Sequence, residues 1–173
     1  MIFKIIGALL VICSTSTIGI YFSKLDKYRI EDLEELKKAF TILKNQISFS
    51  FMPLPEAFQQ ISFRVKEEIA EILKEIADLL EKKEGESATQ IWNIVWEKNK
   101  EKTYFLKEDM DMLFSFGKAV GYLDRQQQLS NIEIAISYIE QTQQYLEKRV
   151  EKNSKIYRSM GVLSGLLVAV VLI

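Results

Sequence analysis

The sequence predicts an all-α protein, and three observations lead to that fold class. Only 2 prolines and 7 glycines occur in 173 residues, so few positions break a helix. Apolar residues recur at alternating spacings of three and four along most of the chain, as in helices that pack along one face. Both ends carry uncharged apolar runs. We therefore expect a six-helix bundle whose long first and last helices continue into membrane segments.

The first element is an uncharged, mostly apolar run over residues 5–23. At about 1.5 Å per residue, a helix of this length spans roughly 28 Å, which is close to the thickness of a hydrocarbon core. We predict an N-terminal transmembrane helix over residues 1–23. The alternative is a cleaved signal peptide, because Ser14 and Ser16 are small enough for a cleavage site.

The apolar run passes without a helix breaker into an amphipathic segment. Its heptad seam consists of Leu33, Leu36, Phe40, Leu43 and Ile47. We therefore predict one long first helix that continues out of the membrane and ends before Pro53. Pro55 suits the first turn of a second helix, which we place over residues 55–66.

Two further helices follow. The third has one apolar face, formed by Ile69, Ile72, Leu73, Ile76, Leu79 and Leu80. Gly85 marks the turn after it. Ser87 with Gln90 three residues later is a capping box that opens the fourth helix. We expect this helix to turn four residues toward the core: Ile91, Trp92, Val95 and Trp96.

The fifth helix begins near Lys107 and carries an acidic first part, Glu108, Asp109 and Asp111, as the helix dipole favours. Its apolar residues are Met110, Leu113, Phe114 and Phe116. The sixth helix has a longer seam: Leu129, Ile132, Ile136, Ile139, Leu146 and Val150. Gln143 interrupts that seam. Either this glutamine fixes register or partner choice, or the bundle is open at that point.

The corner between the fifth and sixth helices is the candidate interaction site. Gly117 and Gly121 lie on one face of the fifth helix, where the missing side chains allow another helix to approach closely. Gly121 is also suited to end that helix, and Asp124 to cap the next one. We predict Gly117, Gly121, Asp124, Arg125 and Gln128 as protein-interaction residues. The alternative is a purely architectural corner.

The last run, residues 159–173, is uncharged but spans only about 22 Å as a helix. We predict a C-terminal membrane segment there, with Lys155 and Arg158 reaching the headgroups. The alternative is a helix that lies in the interface or packs on the first span. Gly161 and Gly165 form a second G-x-x-x-G pattern, which predicts packing between membrane helices.

Basic residues flank both apolar runs on the side of the central segment. Lys24, Lys27 and Arg29 follow the first run, and the second is preceded by Lys148, Arg149, Lys152, Lys155 and Arg158. Basic residues near the ends of membrane helices stay in the cytoplasm. Residues 24–158 are therefore predicted to be a cytoplasmic helical bundle domain.

The composition argues against several classes of function. The formal net charge is −1, from 23 basic and 24 acidic residues, so no basic field favours nucleic acid. With one cysteine, Cys13, and no histidine, a disulfide, a Ser–His triad and the usual zinc sites are excluded within one chain. We expect no catalytic residue, cofactor, metal or small-molecule substrate. An enzyme built on the carboxylates of "KEDMD" is the alternative.

Four stretches resemble the stage III sporulation protein AB family: "KIIGALLVICSTSTIGIYFS", "SFMPLPEAF", "FSFGKAVGYLDRQQQLSNI" and "KIYRSMGVLSGLLVAVVLI". Together the resemblance covers nearly the whole chain, and the last two stretches are the specific ones. Two departures stand out. The family usually has Leu-Gly where this chain has Phe116-Gly117 and Val120-Gly121, and often has Glu-Ile where it has Gln46-Ile47.

The resemblance implies a non-enzymatic membrane platform in the channel complex that connects mother cell and forespore during endospore formation. It implies a location in the mother-cell membrane around the forespore. The family is similar to the inner-membrane platform proteins of type II secretion and type IV pili. By that analogy the partners are the ATPase stage III sporulation protein AA and other components of the stage III sporulation A complex, with self-association left open. The alternative is a membrane-anchored helical scaffold unrelated to transport.

Overall fold

The computed structural model is helical wherever the backbone forms regular structure. It describes the backbone of residues 2–49, 52–82, 85–120 and 124–172, and the side chains of residues 21, 24–49, 52–82, 85–120, 124–153 and 156. Across these residues it contains six α-helices and no strand. The predicted all-α class and the six-helix count are therefore confirmed.

The helices follow the predicted order with modest differences at their ends. They are α1 Ile2–Phe49, α2 Leu54–Ser62, α3 Glu67–Lys82, α4 Ala88–Asn99, α5 Lys107–Gly117 and α6 Arg125–Leu172, with a 3-10 turn at Lys100–Lys102 between α4 and α5. The first and last helices are each 48 residues long. The prediction that the first and last helices are long is confirmed.

The chain divides into two compact units. One comprises Arg29–Gln143, and the other comprises Met1–Tyr28 together with Gln144–Ile173. Within the part of the chain that the structure describes, no helix is long and apolar enough to cross a membrane. The side chains of residues 2–20 and 157–172, where both membrane segments are predicted, lie outside the described residues. The predicted boundaries 1–23, 24–158 and 159–173 remain predictions.

The core of Arg29–Gln143 is built from the predicted seams. On α1, Leu33, Leu36, Phe40 and Leu43 are buried, and Ile47 is half-buried. The predicted inward residues of α4 are all buried: Ile91, Trp92, Val95 and Trp96. On α3 the residues Ile69, Ile72, Leu73 and Ile76 are buried, whereas Leu79 and Leu80 are half-buried. Burial of these apolar side chains is the main term that stabilises the unit.

The second helix is shorter than predicted. It ends at Ser62 rather than at Lys66, because the chain turns at Phe63, where the amide of Arg64 donates to Ile61 O at 2.8 Å. The backbone amide of Lys66 then donates to the carboxylate of Glu35 on α1 at 2.9 Å. The chain after Ser62 therefore contacts α1 through Lys66 instead of continuing α2.

The turn before α4 and the first residues of α4 have the structure that the sequence predicts. Gly85 has φ of 92°, a left-handed conformation that glycine adopts without strain. The Ser87 hydroxyl accepts from the amide of Gln90, and the amide of Ser87 donates to Gln90 Oε1 at 2.8 Å. This is the predicted capping box, and it satisfies amide groups that a helix start otherwise leaves without partners.

Gln143 has a structural role on the α6 seam. It is buried, and its Nε2 donates to the carbonyl oxygen of Ile30 on α1 at 3.4 Å. This contact supports the first of the two interpretations, in which the glutamine fixes how α6 lies against α1. The other unit has its own polar contact, between Arg149 Nε and Asp26 Oδ2 at 3.2 Å.

Candidate functional site

The end of α5 lies unusually close to α4. A Cβ atom added at Gly117 would lie 2.4 Å from Trp92 Cδ1 and 2.8 Å from Asn93 Oδ1. Real side chains do not approach that closely, so any other residue at 117 forces the indole to move. The predicted close helix approach at Gly117 is confirmed, and the helix that approaches is α4.

The Trp92 indole is held in place from several sides. Its Nε1 donates to Leu113 O on α5 at 2.8 Å. Its ring centroid lies 5.2 Å from that of Phe116 and 5.6 Å from that of Phe58. Because the indole has both a polar partner and aromatic neighbours, its position is fixed and it cannot yield cheaply to a larger residue at Gly117.

The corner itself begins earlier than predicted. The helix α5 ends at Gly117, and the next residues form a turn in which Ala119 N donates to Phe116 O at 3.0 Å and Val120 N to Gly117 O at 3.1 Å. The expectation that Gly121 ends α5 is therefore wrong. Gly121 itself lies outside the described residues, as do Tyr122 and Leu123.

The start of α6 is capped as predicted. The Asp124 carboxylate accepts from the backbone amide of Gln127 at 2.9 Å, and the amide of Gln128 donates to Asp124 O at 2.9 Å. Arg125, the first residue of α6, is exposed. Asp124 therefore acts through local structure, by fixing where α6 starts.

Gln128 borders a narrow apolar cleft at this corner. Leu43, Ile47, Leu54, Phe58, Phe116, Ala119, Val120 and Ile132 line the cleft, and Gln128 and Asn131 are its polar residues. Its volume of about 10 Å³ admits roughly one water. Of the five predicted interaction residues, the structure places Gly117 in the helix crossing, Asp124 and Arg125 at the α6 start, and Gln128 at this cleft.

Sequence reasoning missed a buried ion pair at the opposite end of α5. The Asp109 side chain is completely buried. One of its oxygens accepts from Arg29 Nη2 at 2.9 Å and from the Tyr138 hydroxyl at 3.0 Å. The other accepts from Arg29 Nε and from the amide of Leu106, both at 2.8 Å. The carboxylate thus joins α1, α5 and α6, and all four of its acceptor positions are used.

The buried ion pair shifts the pKa values of its neighbours. Burial, together with the negative charge of Asp109, raises the pKa of the Tyr138 hydroxyl from 10.0 to about 12. Burial opposes the charged form of Arg29, but the hydrogen bonds and charge of Asp109 outweigh it and the pKa of Arg29 is raised. Both groups therefore keep their protons, and the network stays fully hydrogen-bonded at neutral pH.

This finding changes the interpretation of two charged residues. Arg29 was grouped with the basic residues beside the first apolar run, but its side chain is only 10 % exposed. Asp109 lies in the acidic first part of α5, as predicted, but its side chain is buried, whereas its neighbours Glu108 and Asp111 are exposed. A signal was present, because Arg29 stands four residues before Leu33 and so extends the buried seam of α1.

Nothing in the described part of the chain forms a metal site, since no three potential ligands lie together there. Gly161 and Gly165 belong to α6, but their surroundings lie outside the described residues. The arrangement at the corner offers helix packing and polar surface groups.

Comparison with known proteins gives one consistent result. The family model described as stage III sporulation protein AB matches residues 4–173. The stage III sporulation protein AB of Bacillus subtilis (strain 168) is 27% identical over 169 residues, which is 98% of each chain. A solved structure of stage III sporulation protein AB has a TM-score of 0.66 and 24% identity, covering 72% of this chain and 97% of that chain. Because the two sequences are only 24% identical, the structural match shows similarity of fold alone.

Proposed function

The chain belongs to the stage III sporulation protein AB family, and from that membership we propose that it is a non-enzymatic platform subunit of the channel complex between mother cell and forespore. The helical bundle supports this role, because rigid packed helices can hold partners in fixed positions without any chemistry. In this proposal the protein is required for endospore formation, as its family name suggests.

The proposed location is the mother-cell membrane around the forespore. Residues 1–23 and 159–173 would serve as its anchors, and residues 24–158 would lie in the cytoplasm. The support comes from the sequence: both terminal runs are uncharged and apolar, and basic residues follow the first and precede the second.

The proposed partners are the ATPase stage III sporulation protein AA and other components of the same complex. The observation that carries this proposal is the pair of contacts that hold the end of α5 and the start of α6. Gly117 packs directly against Trp92, and the Asp124 cap sets the start of α6. Gln128 borders an apolar cleft, and Arg125 is exposed in the first turn of the same helix, so both are available to a docking partner.

Photo-crosslinking in sporulating cells tests the proposal. A photoreactive residue replaces Arg125 in the full chain, and the captured proteins are identified by mass spectrometry. A photoreactive residue at Lys74, which is exposed on α3, serves as the matched control. We expect the ATPase to be captured from position 125 and not from position 74. If position 125 captures only segments of its own chain, the corner is architectural and the docking site must lie elsewhere.

A further inference from the structure

The exposed side of α6 differs from that of α3 in its charge. Over residues 126–141 of α6, the exposed residues are Gln126, Gln127, Ser130, Glu133, Ile134, Ser137, Glu140 and Gln141, of which two are charged. On α3 every exposed residue is charged: Glu67, Glu68, Glu71, Lys74, Asp78, Glu81 and Lys82. Both are outer sides of amphipathic helices, so exposure to water does not by itself explain the difference.

Four of the uncharged residues lie in one line, which we call the α6 stripe: Ser130, Ile134, Ser137 and Gln141. Their spacings are four, three and four, which at about 100° per residue places them within roughly 60° of the helix surface. The stripe is about 16 Å long, or three helical turns. Ile134 lies within it, and 64% of this large apolar residue is exposed.

The absence of charge along this line is typical of an interface core rather than of a solvated face. Charged residues are depleted at the centre of protein interfaces, because removing a charge from water costs more than removing a hydroxyl or an amide. Serine on either side of Ile134 also permits a close approach. Gln141 Nε2 donates to Ser137 Oγ at 3.2 Å, so these polar groups have a partner inside the helix when water is removed.

One edge of the α6 stripe is acidic. Glu133 and Glu140 lie along it, seven residues apart, while the opposite edge carries Asn131 and Tyr138. Within the chain, Lys44 Nζ lies 2.8 Å from Glu133 Oε1, in an ion pair with both side chains partly exposed. The arrangement of an apolar centre, uncharged neighbours and a charged edge determines which partner fits.

We propose that the α6 stripe docks a helix of another protein, with small or apolar residues against Ile134 and with Lys or Arg against Glu133 and Glu140. A second copy of this chain fits the edges less well. In an antiparallel pair, Glu133 and Glu140 of one copy would lie against the same residues of the other. In a parallel pair, these carboxylates would lie against Asn131 and Tyr138, neither of which is positively charged. The proposal goes beyond ATPase docking at the corner and does not depend on it.

The test uses the full chain in sporulating cells, with a photoreactive residue at Ile134 and a matched one at Lys74 on α3. Mass spectrometry identifies the captured peptide. We expect position 134, but not position 74, to capture a helical segment of another protein that carries Lys or Arg at heptad spacing. Capture of a second copy, or of the same proteins from both positions, would overturn the proposal.

Charge reversal provides the second measurement. We expect Glu133→Lys with Glu140→Lys to reduce capture by about tenfold, as for the loss of interface charge pairs. Reversing the captured segment's basic residues to Glu should restore capture. Unchanged capture in the reversed variant contradicts the proposed partner chemistry. Ile134→Ser, tested with the photoreactive residue moved to Ser137, keeps both charges and should also reduce capture while the thermal unfolding midpoint stays the same, and that variant separates docking from folding.

Discussion

The two ends of α5 are fixed in place by opposite means. At its start, the buried carboxylate of Asp109 accepts four hydrogen bonds, two from Arg29 on α1, one from Tyr138 on α6 and one from the N-cap residue Leu106. At its end, Gly117 has no side chain, and the indole of Trp92 occupies the space. The first end depends on charged groups that must all be present, and the second depends on a group that must be absent. The same helix therefore tolerates different substitutions at its two ends.

The largest expected effect comes from breaking the ion pair on one side. We expect Asp109→Leu to reduce the free energy of unfolding by about 3–5 kcal/mol, because Arg29 is then buried without a counter-charge. Urea unfolding of the purified protein measures this loss. The control is the double variant Arg29→Met with Asp109→Leu, which should recover most of the stability because no unpaired charge remains. Equal losses in both variants would contradict this account.

Filling the space at the other end should have the next largest effect. We expect Gly117→Leu to cost about 3 kcal/mol, since the new side chain must displace Trp92 in a packed core. The shift of the urea midpoint measures this cost. Ser115→Leu, at an exposed position of the same helix, is the control and should change stability by less than about 0.5 kcal/mol. A tolerated leucine at 117 would mean that the close contact with α4 is not required.

Removing the hydroxyl at Tyr138 should have a smaller effect. We expect Tyr138→Phe to lose about 1–2 kcal/mol, because one of four hydrogen bonds to the Asp109 carboxylate disappears while the ion pair stays.

The pH dependence gives this prediction a second readout. The pKa of Tyr138 is about 12 in the folded chain and ordinarily 10.0, so the unfolded chain releases this proton first. The stability contribution is therefore complete below pH 10 and is lost as the pH rises from about 10 to 12. Unfolding midpoints across this range should fall more steeply in the wild type than in Tyr138→Phe. Parallel curves would show that Tyr138 does not titrate as described.

The smallest expected effect lies just beyond α5, at the cap of α6. We expect Asp124→Ala to cost about 1 kcal/mol, the usual value for an N-cap residue. Asp124→Asn, whose side-chain oxygen can still accept from the amide of Gln127, should stay within a few tenths of the wild type. Thermal unfolding of the three proteins side by side measures the difference. A loss as large as that of Gly117→Leu would mean that the cap also holds contacts of the corner.

Sequence reasoning succeeded wherever a single local rule decides the outcome. The capping box at Ser87, the positive φ of Gly85 and the cap at Asp124 each follow from one or two neighbouring residues. The heptad seam of α1 likewise follows from apolar spacing alone. Sequence reasoning was less accurate where a group distant in the chain makes a contact, as at the end of α2, where the Glu35 carboxylate accepts from the amide of Lys66.

The corner after α5 shows both a property that the sequence predicted and one that it did not. The spacing of Gly117 indicated a close approach without naming the helix that approaches, because a missing side chain is visible in the sequence but its neighbour is not. The identity of that neighbour, Trp92, depends on how α4 and α5 fold together. The uncharged α6 stripe was also present in the sequence. Its position on the outer side of α6 became evident only from the structure, in which Ile134 is exposed and the seam of the same helix is buried.

By itself, the sequence determined the all-α class, the number and order of the helices, the caps of α4 and α6 and the family of the chain. These properties depend on periodicity, propensity and short motifs, which act between residues close together in the chain. Only the tertiary structure decided that Arg29, Asp109 and Tyr138 form one buried network. Arg29 and Asp109 are 80 residues apart, and the spacing of Arg29 from Leu33 places it on the buried seam of α1 without identifying its counter-charge. Pairing between distant residues is a property of the packed chain, and no local pattern specifies it.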